Sequence, residues 1–346
     1  MAKLSSAARE QLAAKRLLRV ISSLTMANQR TLEQKISDAG PFNQRIDPHV
    51  LNDARKQLLK DGQIGRLQRN GTPWFYAGNT PIETQASRLQ ELLAVYQPYL
   101  KIAPRIGQAL EIATYRALRQ IPNADFYGRF KDLDAHDDST MYSKEEPPQH
   151  IGNKELTGDE RLDFILRTPD AGAVGIECKN VRHWMYPHVD EIRETLRKCL
   201  LLDAVPVLIA RRIPFVTFAV LGKCGLIIHQ TYNQLLPASE TELAAKVRDK
   251  TLLGYHDVRT TNQPDARLVQ FITKNLPAIA PAARAKYEQH TDLLWDFAFG
   301  EKTYVEFSAR VLRRSRGEDE DGPYKQLMEQ HNMTYEEVLK HFFGQE

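Results

Sequence analysis

Asp163, Glu177 and Lys179 are the residues whose types and spacing could do chemistry. Glu177 and Lys179 stand two apart in Gly175-Ile176-Glu177-Cys178-Lys179, at the end of a strand expected over 173–180. Side chains alternate along a strand, so Glu177 and Lys179 project to one face and Cys178 to the other. An acid and a base at the end of an apolar strand are costly to bury unless they pair or bind a metal. A second strand is expected over 161–168, joined to the first by a turn at Pro169-Asp170-Ala171-Gly172. Folding it back places Asp163 beside Glu177, where the two carboxylates can share one Mg²⁺. A carboxylate-bound Mg²⁺ neutralises charge developing on a phosphate and helps form the nucleophilic water, and a lysine can contact both. The chemistry these residues suit is hydrolysis of a phosphate ester.

An Asp on one strand and Glu-x-Lys at the end of the next resembles the PD-(D/E)XK signature of restriction-endonuclease-like nucleases. The resemblance covers residues 100–235 in the order helix, strand, strand with Asp163, strand with Glu177 and Lys179, helix, strand Val205–Ala210. It implies that Asp163 and Glu177 bind a divalent metal and that Lys179 orients or activates the attacking water. Many members also place an acid on the helix before the sheet. Glu111, in Gly107-Gln108-Ala109-Leu110-Glu111, fits that place as a further metal ligand or as the holder of a metal-bound water, with Tyr115 one turn on in support. The implied cofactor is Mg²⁺, with Mn²⁺ able to substitute.

Stepping outward, the expected elements upstream are three helices and a hairpin. Helices are expected from Ser5 to about Leu24, from a Thr31 N-cap with Gln34 in capping-box position to Gly40-Pro41, and from Asp47-Pro48 to Gly62. Two short strands flank the turn at Asn70-Gly71. This order resembles a winged helix-turn-helix over about residues 8–78. It implies a recognition helix at about 48–61 from which Arg55, Lys56 and Lys60 reach a DNA duplex, with Arg66 and Arg69 in the wing. Charge agrees: residues 1–80 hold 13 Lys/Arg against 6 Asp/Glu, while residues 131–160 hold 3 against 9. The acidic stretch, with Pro147-Pro148, reads as a long loop or lid.

The expected fold class is α/β: a restriction-endonuclease-like mixed sheet flanked by helices, with an N-terminal winged helix (1–80), a nuclease core (81–235) and a helical C-terminal region (236–346). Within the core, Phe215–Leu221 is expected as a further buried strand. At 42% hydrophobic and 26% charged, the 346 residues suit a globular protein with a real core. The apolar runs are too short to span a bilayer, and the N-terminus lacks the apolar stretch of a secretory signal. Cys178, Cys199 and Cys224 lack metal-binding spacing and fit reduced thiols in a cytoplasmic protein.

Rival residues were weighed on the same terms. Asp170 spells "PD" after Pro169 but falls in the turn. Arg193 and Arg197, one helical turn apart, could approach a phosphate or line a solvated face. His183 reads as a surface residue, and Asp134, Asp137 and Asp138 as loop solvation. The expected function is Mg²⁺-dependent endonucleolytic hydrolysis of DNA, in defence against foreign DNA or in repair, recombination or mobile-element processing. The competing expectation is a non-catalytic DNA-binding regulator or assembly subunit, which has no need of metal. A lone site cuts one strand, so a double-strand break calls for a homodimer or two successive events. The sequence carries no nucleotide-binding motif, so any ATP-driven step falls to a partner ATPase or defence-complex subunit.

Overall fold

A computed structural model describes residues 5–38, 44–131, 133–135, 137–331 and 334. The chain is mixed α/β, built around a mixed sheet flanked by helices. Helix α1 (Ser6–Leu24) starts at Ser5, whose side chain accepts from the Ala8 N–H, and buries Ala13, Leu17, Ile21 and Leu24 at helical spacing. Strand β1 (Met26–Asn28) follows. Asn28, not Thr31, caps helix α2 (Gln29–Ile36), accepting from the Thr31 N–H at 2.8 Å. Thr31 is buried inside the first turn, so its hydroxyl is unavailable as a cap. The expected stop at Gly40-Pro41 lies outside the described residues. Helix α3 (Pro48–Lys60) has proline in its first turn and closes at Gly62, whose φ of +68° suits glycine. Strands β2 (Ile64–Arg69) and β3 (Thr72–Ala77) join through Asn70 and Gly71, both at positive φ. With β1 they form a sheet in the order β1-β3-β2, all antiparallel.

Alternation makes β3 two-faced. Phe75 packs under α1–α3, while Trp74 points the other way into a second core. That core contains Met26, Tyr96 and Tyr99 of helix α4 (Ile82–Lys101), and Leu236, Ala244, Val247 and Tyr255 from late in the chain. The N-terminal sheet is thus packed on both faces.

Helix α5 (Ala103–Leu118) leads into the main sheet through β4 (Asp125–Tyr127). The acidic stretch is not a bare loop. Within it β6 (Lys144–Glu145) pairs with β5 (Arg129–Phe130) just before it, and β7 (His150–Ile151) pairs with β8 (Lys154–Glu155). Strands β9 (Phe164–Thr168) and β10 (Gly172–Lys179) are antiparallel, with Phe164 opposite Ile176. Helix α6 (Asp190–Leu201) crosses to β11 (Val205–Ala210), which runs parallel to β10. The run Phe215–Leu221 is helix α7, not a strand: Pro214 precedes it and Phe215 is 84% exposed. A three-residue-periodic half-burial replaces the continuous burial an interior strand would need. Strand β12 (Ile227–Gln230) completes the order β12-β11-β10-β9-β4.

Side chains sort by face. Val174, Ile176 and Cys178 of β10 and Val207 and Ile209 of β11 pack with α5 in one core. Leu208 and Ala210 pack with Ile192, Leu196 and Leu200 of α6 in another. The remainder comprises β13 (Gln234–Leu236), α8 (Thr241–Arg248), β14 (Val258–Thr260), α9 (Ala266–Gln270), α10 (Leu276–Gln289), α11 (Thr291–Ala298), α12 (Tyr304–Arg314) and α13 (Gly322–His331). It is helical apart from the parallel pair β13 and β14. Leu276, Ala280 and Ala283 of α10 cover one face of the sheet; Leu294 and Phe297 of α11 and Phe307 of α12 cover the other. No helix among the described residues is long and apolar enough to cross a membrane.

Candidate active site

The end of β10 collects the residues singled out above. Asp163 stands one residue before β9, where its Oδ2 accepts the Cys178 N–H at 2.7 Å. This bond ties the acid to the far strand beside Glu177, as the turn geometry requires. Glu177 is 1% exposed. Lys179 Nζ lies 3.1 Å from Glu177 Oε2, so the two side chains do share a face. Glu111 approaches from α5.

Two lysines complete the cluster that sequence reasoning missed. Lys198 of α6 donates to Glu177 Oε1 at 2.6 Å. Its approach depends on Gly175: a Cβ there would stand 2.7 Å from Leu162 Cδ1 and 2.8 Å from Cys199 Sγ. Only a bare backbone lets α6 lie this close to β10. Lys144 of β6 donates to Glu111 Oε2 at 2.7 Å and lies 3.9 Å from Asp163 Oδ1 and 3.5 Å from Glu146. Its ammonium rests 4.9 Å from the Phe164 ring centroid and 5.6 Å from that of Phe130. A lysine in a two-residue strand, three strands before β9, gives no periodic signal.

The electrostatics follow from crowding. Burial, then Glu177, then Glu111 push the Asp163 carboxyl well above the usual carboxylate range, against Lys144 and Lys179. Burial pulls the Lys144 ammonium down, but Asp163 and Glu111 outweigh it and raise it overall. Lys179 behaves alike, with Glu177 and Asp163 overcoming burial. Glu177 and Glu111 thus both repel Asp163, and lysines hold the group together. Among the described residues, no three acidic, histidine or cysteine side chains converge closely enough to form a ready metal cage. The donor set is nonetheless all carboxylate oxygen, which suits a hard divalent cation, and the raised Asp163 marks the negative charge such a cation would relieve.

Other candidates find structural occupations. Tyr115 packs edge-on against Phe126 and Phe130, not as a partner of Glu111. Arg193 lies over the Phe297 ring at 4.9 Å, and Arg197 pairs with Glu160. His183 pairs with Glu191 at 2.8 Å. Asp138 is buried, accepting from the Tyr142 hydroxyl, Asn262 and the Ala238 N–H; solvation does not account for it. Asp170 lies in the β9–β10 turn.

On the N-terminal sheet module, Lys56, Lys60, Arg66 and Arg69 are exposed. Arg55 is not free to reach outward. Its guanidinium stacks over Phe75 at 4.8 Å and donates to Asn52 at 2.5 Å, because the α3 face it occupies closes over β3.

A seam of buried charge fixes this module to the core. Asp257 accepts from Arg182 at 2.9 Å and from Arg211 at 2.7 Å. Arg211 reaches Asp38 at 3.0 Å, and Arg182 also donates to Gln34. Arg182 is three residues beyond Lys179, so the segment leaving β10 passes from the site to the joint. Comparison with known protein families, curated proteins and solved structures finds no match.

Proposed function

We propose that the protein is a Mg²⁺-dependent endonuclease that hydrolyses DNA phosphodiester bonds, with a restriction-endonuclease-like core and a winged-helix module at its N-terminus. One observation carries the reading. Asp163, Glu177 and Glu111 crowd at one strand end with Lys179 on the same face, from three separate elements. A structural ion cluster gains nothing from acids that repel one another, whereas a metallonuclease requires them.

Asp163 and Glu177 would hold the cation, with Glu111 beside them. When bound, Mg²⁺ supplies charge neutralisation at the phosphate and a more acidic water. Lys179, on the same face as Glu177, would donate to a phosphate oxygen and orient or activate the attacking water. Lys144 and Lys198 balance the acids. The order of helices and strands about the hairpin of β2 and β3 supports the winged-helix reading, and the exposed Lys56, Lys60, Arg66 and Arg69 supply contacts to a duplex backbone.

The test is conversion of supercoiled plasmid to nicked and linear forms with Mg²⁺, Mn²⁺ or EDTA. Wild type should cut only with metal, and Lys179→Ala and Asp163→Ala should not cut. Metal-independent binding without cutting would instead favour a non-catalytic DNA-binding subunit.

A further inference from the structure

Lys144 is one of 3 basic residues set among the 9 acids of residues 131–160. Its side chain is only 5% exposed. Two contacts bring it indoors. Lys144 pairs with Phe130 across β6 and β5. Just before it, the buried Gln108 side chain donates to the Tyr142 carbonyl at 2.9 Å and accepts the Tyr142 N–H at 2.7 Å. Gln108 stands one turn before Glu111 on α5, so the helix that carries Glu111 also clamps the segment that carries Lys144.

The ammonium arrives among the groups that would attract a metal ion. It donates to Glu111 Oε2 at 2.7 Å, lies 3.9 Å from Asp163 Oδ1, and rests on the Phe164 and Phe130 rings. Asp163 Oδ2 is committed to the Cys178 N–H, so Oδ1 is the oxygen left to turn to a metal ion, and it is the one that meets Lys144. Two cations drawing on the same oxygens repel strongly in a half-buried site. Lys179 and Lys198 pair with Glu177 instead. Lys144 also has a partner at the rim: Glu146, 3.5 Å away, with its side chain 45% exposed. The flexible four-carbon stem lets its ammonium pass from the inner carboxylates to the outer one without moving β6.

We propose that Lys144 is an internal competitor of the divalent cation. Its ammonium and the metal ion exclude one another at Glu111 and Asp163. When the ion binds, the lysine turns outward to Glu146, so Lys144 sets how much metal the site needs before it fills. The proposal rests on the nuclease reading for the purpose of the metal, but the competition is a matter of binding and does not depend on cleavage.

The experiment uses the full chain in two arms. In the first, wild type is briefly acetylated with an amine-reactive ester in EDTA or in excess Mg²⁺, and the peptide carrying Lys144 is followed by mass spectrometry. Mg²⁺ should speed acetylation of Lys144 about tenfold and leave that of the exposed Lys131 unchanged. In the second, Mn²⁺ affinity is read from the electron paramagnetic resonance of the free ion. Lys144→Met keeps the stem against Phe130 and Phe164 but removes the charge, and it should bind Mn²⁺ about tenfold more tightly than wild type. Lys131→Met, which removes a neighbouring exposed charge, should stay within about twofold. Lys144 labelling that ignores Mg²⁺, or Mn²⁺ binding no tighter in Lys144→Met than in wild type or Lys131→Met, would overturn the proposal. Metal-triggered labelling and tighter Mn²⁺ binding in a protein that never cuts plasmid would retain the competition and remove the nuclease reading. Metal-dependent cutting with both readouts unmoved would do the reverse.

Discussion

Two clusters of acids and bases meet along the chain at Lys179 and Arg182, three residues apart, and they are built on opposite terms. In the seam, burial pushes the Asp257 carboxyl up, but Arg182 and Arg211 outweigh burial and hold it below the usual carboxylate value. In the candidate active site, burial and two neighbouring acids push Asp163 above that value despite the lysines around it. Arginine's planar fork delivers several fixed donors to one carboxylate, whereas each lysine is a single point charge. Arg182 and Arg211 thus overcome burial at Asp257, whereas Lys144 and Lys179 do not overcome burial and the neighbouring acids at Asp163. The difference separates a joint that holds parts together from the cluster proposed above to hold a cation.

The comparison can be broken most directly at Lys179. Replacing it by Ala should cost roughly 10²–10⁴ in the rate of metal-dependent cleavage, measured as single-turnover plasmid nicking, with little change in fold by circular dichroism. A rate within threefold of wild type would show that the crowded acids serve some other end.

At the seam the largest effect should be on stability. Asp257→Ala leaves Arg182 and Arg211 buried without their shared acceptor. Urea unfolding should show a loss of about 3–5 kcal/mol, the usual cost of breaking a buried pair by removing one partner. A negligible loss would mean that the seam is hydrated and that the contrast drawn above is false.

The opposite sign is expected at Asp163. Its folded-state pKa lies above the unfolded value of 3.8, so ionisation opposes folding. Stability is full below the unfolded value and falls as pH rises through the folded one. Asp163→Asn, which keeps an acceptor for the Cys178 N–H, should flatten this fall when thermal midpoints are followed in EDTA from pH 4 upward. Mg²⁺ should raise the wild-type midpoint at neutral pH and leave the variant unmoved. A wild-type midpoint that instead climbs with pH in EDTA would put the carboxyl's shift in the other direction.

The smallest effect concerns the exposed bases of α3. Lys56→Ala and Lys60→Ala should each lower the slope of log affinity against log salt by about one for duplex DNA. Arg55→Ala should change that slope less, because its guanidinium is stacked on Phe75. Equal slopes for all three would return Arg55 to the binding surface.

How legible each part was depends on what fixed it. Asp163, Glu177 and Lys179 could be brought together from sequence because a period of two and a short turn determine both faces and register. Lys198 and Lys144 could not, because their positions depend on how closely α6 and β6 approach β10 and β9. Gly175 was the available sign of that approach, since a glycine inside a buried strand marks a neighbour too close for a side chain. Phe215–Leu221 misled because seven residues, six of them apolar, have no clear period; Pro214 before them was the better guide to a helix start. The hairpin at Asn70-Gly71 was readable from its positive-φ residues, but nothing local announced that Trp74 faces a core completed by Tyr255.

That shared core bears on how the chain is made. Met26 and Trp74 leave the ribosome long before Leu236, Val247 and Tyr255, against which they pack. At ~5–20 residues per second the wait is on the order of ten seconds or more. During it the young N-terminal sheet shows an apolar face that the finished protein covers, which is a window for chaperone capture. The residues Asp163 and Glu177 emerge within the same interval, so the acids of the candidate site are synthesised before the seam can close on Asp257. The N-terminal module is thus fixed to the core only after translation has passed Asp257.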